Sequence, residues 1–163
     1  MLMPNYTIDT CSLIDGHSDA DTRSILGRLI KAGRMKTPPG VLGELEVGGD
    51  DTFAWAKGLE GQLVKELTPD SAIQLGPLLD KYRRPFRDPE VPGKTYRGLI
   101  KKETSYDADP EVIALAMDHG WTVVTEEGSG IKGACKCEKV ECISLQKLID
   151  DERQKQERQL PLA

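Results

Sequence analysis

Four carboxylates in this sequence stand where chemistry on a divalent cation or a phosphate could be done. Asp9 ends the β-favouring run Tyr6-Thr7-Ile8, and Glu126 or Glu127 follows the apolar run Trp121 to Thr125. Asp109 opens a helical pattern just before that second run, and Glu44 lies in a helical pattern that follows Met35 to Thr37. Carboxylates gathered without basic partners repel one another, which raises their pKa values and destabilises the fold unless a cation neutralises them. Ligands that are all oxygen suit Mg2+ or Mn2+, which retain several waters and leave positions for a phosphate. Each acid also has a plain structural reading. Asp9 and Asp109 could cap helices, Glu44 could lie on a solvated helix face, and Glu127 could belong to a polar turn. Their joint placement near the carboxyl ends of strands, where ligand sites form in parallel sheets, favours a site.

Elements must carry these acids to one place. Asn5 to Asp9 reads as a first strand running into a helix start at Thr10-Cys11-Ser12, with Thr and Ser as caps. Ile25, Leu26, Leu29 and Ile30 share one face and Gly33 follows as a stop, so a helix is predicted from about Asp21 to Ala32. Met35 to Thr37 is a brief strand ended by Pro38-Pro39, and Val41 to Leu45 starts a helix with proline near its first turn. A helical stretch from Thr52 to Leu63 is weakened by Gly58 and Gly61. Val64 to Leu67 is a possible strand, and Ser71 to Tyr82 a further helix. Arg83 to Thr104, with its prolines and little periodicity, reads as a long loop or insertion holding at most a short helix. Asp109 as cap and Pro110 at the first helical position begin a helix that Gly120 stops. Trp121 to Thr125 is a buried type of strand. A last strand near Glu141 to Ile143 precedes a helix capped by Ser144, whose polar continuation from Asp150 to Arg158 is expected to fray. The alternation predicts an α/β domain over residues 1–149 with a mainly parallel sheet, a basic insertion at about 83–104, and a polar extension at 150–163.

A length of 163 residues fits one such domain. With 38% apolar residues but only 5% aromatic, Leu, Ile, Val and Ala must fill the core, and neither a disordered nor a disulfide-dense chain is indicated. The net charge of −5 argues on average against a polyanionic partner. The average hides a division. Residues 81–102 hold eight bases against two acids, a local charge of +6, which leaves −11 for the rest. Arg83, Arg84, Arg87, Lys94, Arg97, Lys101 and Lys102 are candidate RNA contacts, and the interleaved Tyr82, Phe86 and Tyr96 are what stacking on unpaired bases would require. The plain alternative is a solvated basic loop that pairs with the protein's own acids. No basic and apolar leader begins the sequence, and no stretch approaches the ~20 apolar residues of a membrane helix, so a cytoplasmic protein without membrane contact is expected. Cys135, Cys137 and Cys142 lack a C-x2-C knuckle, and the nearest histidine, His119, falls on another element. They read as free thiols in preference to a zinc site.

Three stretches in order resemble the PIN domain, found in the toxin of VapBC-type toxin–antitoxin pairs and in other metal-dependent ribonucleases. They are Tyr6-Thr7-Ile8-Asp9-Thr10-Cys11-Ser12-Leu13-Ile14, Pro38-Pro39-Gly40-Val41-Leu42-Gly43-Glu44-Leu45, and Asp107-Ala108-Asp109-Pro110-Glu111-Val112-Ile113-Ala114-Leu115-Ala116 followed by Thr122-Val123-Val124-Thr125-Glu126-Glu127. The resemblance implies a three-layer α/β/α sandwich with a mainly parallel central sheet. It implies a catalytic, metal-binding set of Asp9, Glu44, Asp109 and Glu127, with Asp107 and Glu126 as alternates and Thr10 or Ser12 orienting a ligand. Glu127 takes the place of the acid in the family's T-x-D pattern, so the chain resembles a T-x-E subset whose longer side chain suits contact with the metal through water. The activity implied is Mg2+- or Mn2+-dependent hydrolysis of RNA by an activated water, leaving a 5′-phosphate. The partners implied are an antitoxin that covers the acidic site with Arg or Lys, and a second copy of the chain. Two enzyme patterns compete less well. A Toprim-like site would use Glu44, Asp107 and Asp109 but leaves Asp9 unexplained, and a haloacid-dehalogenase-like phosphatase needs an acid where Cys11 stands. A catalytically silent PIN-like binding module is the alternative of a different class.

Overall fold

The computed structural model describes residues 3–48, 51–99, 108–126 and 130–160. Strand β1 (Tyr6–Ile8) runs into α1 (Thr10–Ser18) and α2 (Ala20–Lys31), and β2 (Met35–Lys36) leads to α3 (Pro39–Gly48), α4 (Asp51–Gly58), α5 (Glu60–Leu63) and α6 (Pro69–Tyr82). A hairpin of β3 (Phe86–Arg87) and β4 (Thr95–Tyr96) precedes α7 (Asp109–His119). Then come β5 (Thr122–Val124), α8 (Gly130–Glu138), β6 (Cys142–Ile143) and α9 (Leu145–Gln159). The strands β2-β1-β5-β6 form one sheet in that order, every pair parallel, with Tyr6 opposite both Met35 and Thr122 and Val123 opposite Cys142.

Parallel strands need crossovers, and crossovers put helices on both faces, so central strands are buried on both sides. All residues of β1 and β5 are buried accordingly. Helix α7 packs on β1 and β5 with α6 behind it, and α2 packs on β2 and α9. The result is a PIN-like α/β/α sandwich around a mainly parallel sheet. From β1 the chain crosses to β2 on one side, and from β5 it crosses to β6 on the other. The winding therefore reverses between β1 and β5, and the crevice beyond their carboxyl ends is where such a sheet binds ligands.

Several local expectations are corrected. Asp9 caps α1 in place of Thr10 or Ser12, because the chain turns directly at the end of β1. Ala108 stands at the cap of α7, leaving Asp109 as its first helical residue. The basic stretch after Arg83 contains the antiparallel β3–β4 pair, with no helix among its described residues. Val64 makes a single bridge to Thr37, and the stretch from Thr52 to Leu63 breaks at Leu59 into α4 and α5. Helix α9 does not fray at Asp150. It continues to Gln159 because Glu152 is buried against Arg34 at 3.3 Å and Lys155 at 3.1 Å, so residue 150 falls inside a packed helix. Among the described residues no helix is long and apolar enough to cross a membrane.

Candidate active site

Asp9 sits at the point where the winding reverses, and two elements close on its carboxylate. Oδ1 accepts the backbone N–H of Ser12 at 2.9 Å, which caps α1, and Oδ2 accepts the hydroxyl of Thr125 at the end of β5. Asp9 is 5% exposed, and Thr125 is buried beside it. The sequence alone assigns Thr125 no role. Its only signal is a hydroxyl at the last position of an apolar run, directly before two acids. The Ser12 hydroxyl is buried and has no hydrogen-bond partner among the described residues.

Glu44 reaches the same crevice from α3. Its Oε2 accepts the Thr10 hydroxyl at 2.7 Å and its Oε1 accepts the backbone N–H of Ala108 at 2.6 Å. A carboxylate from one helix thus serves the buried amino end of another, α7. In return Glu111 on α7 accepts the N–H of Gly40 in the first turn of α3 at 3.1 Å. Orphan N–H groups at helix starts require such acceptors, and here α3 and α7 supply each other's. Burial pushes the Glu111 carboxyl up in pKa. The Gly40 bond opposes that shift, and the charges of Glu44 and Glu66 add to it.

Asp9, Glu44, Asp109 and Glu126 line one cavity of about 420 Å3 together with Thr10, Cys11, Arg97, Gly98, Gly130 and Ile131. Glu127 and Asp107 lie outside the described residues, as do Lys101 and Lys102, so the acid seen in the cavity after β5 is Glu126. The cavity's charged donors are oxygens from four separate elements, with the Cys11 thiol at the edge. Among the described residues no three Asp, Glu, His or Cys side chains draw close enough to form a ready cage. An oxygen-lined cavity without a closed cage fits Mg2+ or Mn2+, which are held by one or two carboxylates and keep water in their remaining positions. Each oxygen of Asp9 and Glu44 accepts one of the hydrogen bonds described above.

The basic segment forms one wall. Asp88 is its hub: Oδ1 accepts the N–H groups of Glu90 at 2.7 Å and Val91 at 2.9 Å, and Oδ2 accepts the Tyr96 hydroxyl and the Lys136 ammonium, both at 2.7 Å. Lys136 and Tyr96 hold the Asp88 carboxyl well below the usual carboxylate range. The aromatics proposed for stacking on bases are used inside the protein. Tyr82 and Tyr96 are buried, and Phe86 is packed between them with ring centroids 4.8 and 5.6 Å away. This corrects the sequence expectation, because a hairpin standing off the sheet needs its aromatics to anchor it. Arg83, Arg84, Arg87, Lys94 and Arg97 are exposed. None of the four cysteines is in a disulfide. Cys135 is buried with its thiol raised in pKa by a hydrogen bond with Cys142 and by burial.

The profile of a family described as a domain of unknown function (DUF4411) matches residues 6–156. No curated protein matches the chain. Among solved structures, the fold is similar to a chain of the DNA-bound VapBC from Salmonella typhimurium (18% identity, TM-score 0.54, covering 88% of this chain and 99% of that one). It is also similar to a chain of a toxin–antitoxin complex from Klebsiella pneumoniae (14%, 0.53, 86% and 98%). A third is a chain of VapBC2 from Rickettsia felis bound to a promoter DNA fragment (15%, 0.52, 85% and 97%).

Proposed function

The chain belongs to the DUF4411 family, and from that premise we propose that it is an Mg2+- or Mn2+-dependent endoribonuclease acting as the toxin of a toxin–antitoxin pair. The observation that carries the reading is one cavity at the sheet's reversal point, lined by Asp9, Glu44, Asp109 and Glu126 and walled by Arg97. Asp9 and Glu44 are the residues best fixed to hold the ion, since Ser12, Thr125, Thr10 and Ala108 orient their oxygens. Asp109 and Glu126 complete the oxygen lining, and Glu127 and Asp107 remain proposed members of the set. A bound divalent cation would acidify an attacking water and neutralise charge on the phosphate. Thr10 positions Glu44, and the Ser12 N–H and Thr125 hydroxyl hold the Asp9 carboxylate at the crevice. The exposed bases Arg83, Arg84, Arg87, Lys94 and Arg97, with Lys101 and Lys102, would receive the RNA backbone. The toxin assignment leans on the structural neighbours, whose crystals hold toxin–antitoxin complexes. On it, a small basic antitoxin would cover the cavity, and two copies of this chain would pair.

Asp9→Asn tests the chemistry with least damage to the fold, since Asn keeps an acceptor for the Ser12 N–H. Mn2+-dependent cleavage of single-stranded RNA is expected to fall by on the order of 100-fold or more at an unchanged melting temperature without metal. Wild-type protein should also melt higher with Mn2+ than with EDTA, and Asp9→Asn should lose that rise. Equal cleavage by a folded Asp9→Asn protein overturns the reading, and a wild type with neither cleavage nor metal response points to a silent binding module.

A further inference from the structure

The cavity that gathers four carboxylates repels the phosphate it is proposed to accept, and one cation shares its wall. Arg97 lines that cavity and is exposed. Among the described residues it makes no ion pair, although Asp9, Glu44, Asp109 and Glu126 line the same space. Neighbouring cations are already committed. Lys136 pairs with Asp88 at 2.7 Å, Lys81 with Glu138 at 3.0 Å, and the Lys94 ammonium lies over the Tyr96 ring at 5.1 Å.

The backbone beneath Arg97 is clamped. A Cβ on Gly98 would come within 2.3 Å of the Arg83 carbonyl oxygen, and a Cβ on Gly130 within 2.6 Å of the Arg97 carbonyl oxygen. The Leu99 N–H donates to the Tyr82 carbonyl at 2.7 Å, which fastens the strand leaving β4 to the end of α6. Tyr96, the residue before Arg97, is buried against Gly133 of α8, and its hydroxyl is held by Asp88. A guanidinium on a fixed backbone, close to carboxylates yet unpaired with them, is preorganised for an anion that arrives from outside. Its planar fork matches two phosphate oxygens.

We propose that Arg97 is the residue that holds an RNA phosphate at the carboxylate cavity by a bidentate contact to its non-bridging oxygens, and that the β3–β4 hairpin fixes it there. This rests on the reading of the cavity as a phosphodiester site. The test uses full-length protein with Asp9→Asn to prevent cleavage, a fluorescein-labelled single-stranded RNA, and anisotropy titrations with EDTA over a range of salt. Arg97→Ala is expected to weaken binding by about 10-fold or more and to make the salt slope shallower by about 0.7, with the melting temperature unchanged because the side chain is exposed. Arg97→Lys should recover the slope but not the affinity, since a point charge lacks the fork. Affinity within twofold of the parent for Arg97→Ala, or full recovery by Arg97→Lys, overturns the assignment. Cleavage by the protein without the Asp9 change is measured alongside. If it is absent while Arg97→Ala still weakens binding, the nuclease reading fails and the phosphate contact stands. If it is present while Arg97→Ala binds and cleaves normally, only the Arg97 assignment fails.

Discussion

A carboxylate that caps a helix and one that binds a cation use the same lone pairs, and the proposed function asks Asp9 and Glu44 to do both. Each accepts a hydrogen bond of the fold on both oxygens, which fixes the orientation of the carboxylate. Glu111 shows what happens to a neighbour that faces inward. It is 7% exposed, accepts one N–H from Gly40, and is raised in pKa chiefly by burial. A native acid with a raised pKa binds more protons than its unfolded counterpart, so its contribution to stability falls as pH rises above the unfolded value of about 4.3. Glu111→Gln keeps the acceptor for Gly40 and removes the charge. The variant is therefore expected to melt at a higher temperature relative to wild type at pH 7 than at pH 4. Thermal melts across that range check it, and a difference that does not grow with pH would show that burial of the charge carries no cost. The acids themselves were legible in the sequence, because acids after apolar strand runs are visible as types and positions. Their partners were not: Ala108 lies 64 residues from Glu44 and Gly40 lies 71 from Glu111, and only packing brings such pairs together.

Elements with strong periodicity could be read directly, and those shaped by a neighbour could not. The four buried apolar residues of α2, Ile25, Leu26, Leu29 and Ile30, announce their helix unaided. Helix α8 also carries an i, i+3, i+4 set, in Ile131, Ala134 and Cys135, but Gly130 and Gly133 obscure it. Gly133 is present because the Tyr96 ring occupies the place of a Cβ, which would lie 2.3 Å from it. The hairpin was hidden for a related reason: β3 and β4 are two residues each, too short for alternation to show, and Asp88 holds the intervening turn. If Asp88 is that fastening, its charge must matter. Asp88→Asn keeps an acceptor but gives up the ion pair with Lys136. Because the native carboxyl is held below the usual range, its stabilisation is complete above the unfolded pKa of about 3.9 and is lost as pH falls toward the native value. Asp88→Asn should melt lower than wild type at pH 7, with the gap narrowing below about pH 4. A gap of constant size down to pH 3 would mean that the side chain acts by shape alone.

At the scale of the molecule, the net charge of −5 divides into +6 on residues 81–102 and −11 on the rest, and the proposed function asks that basic segment to attract a polyanion. Arg97 and Gly98, which follow the hairpin, line the cavity that collects the acids, so on the proposed reading attraction and chemistry share one edge of the sheet. Among the described residues Arg83, Arg84 and Arg87 form no ion pair, whereas Lys81 of the same segment pairs with Glu138, so these three charges stay open to an outside anion. Exposed cations close to a phosphate chain release counterions, and each phosphate neutralised on a single strand adds about 0.7 to the slope of log affinity against log salt. Reversing Arg83, Arg84 and Arg87 to Glu is therefore expected to weaken single-stranded RNA binding most at low salt and to make that slope shallower by about 2. The loss should be nearly uniform across RNA sequences, since backbone contacts carry no base information. Titrations of several unrelated oligonucleotides at 50 to 200 mM salt, roughly the range over which counterion release is readily seen, check both points. An unaltered slope would place the RNA path on another face and leave the hairpin with Arg97 alone as its contribution to binding.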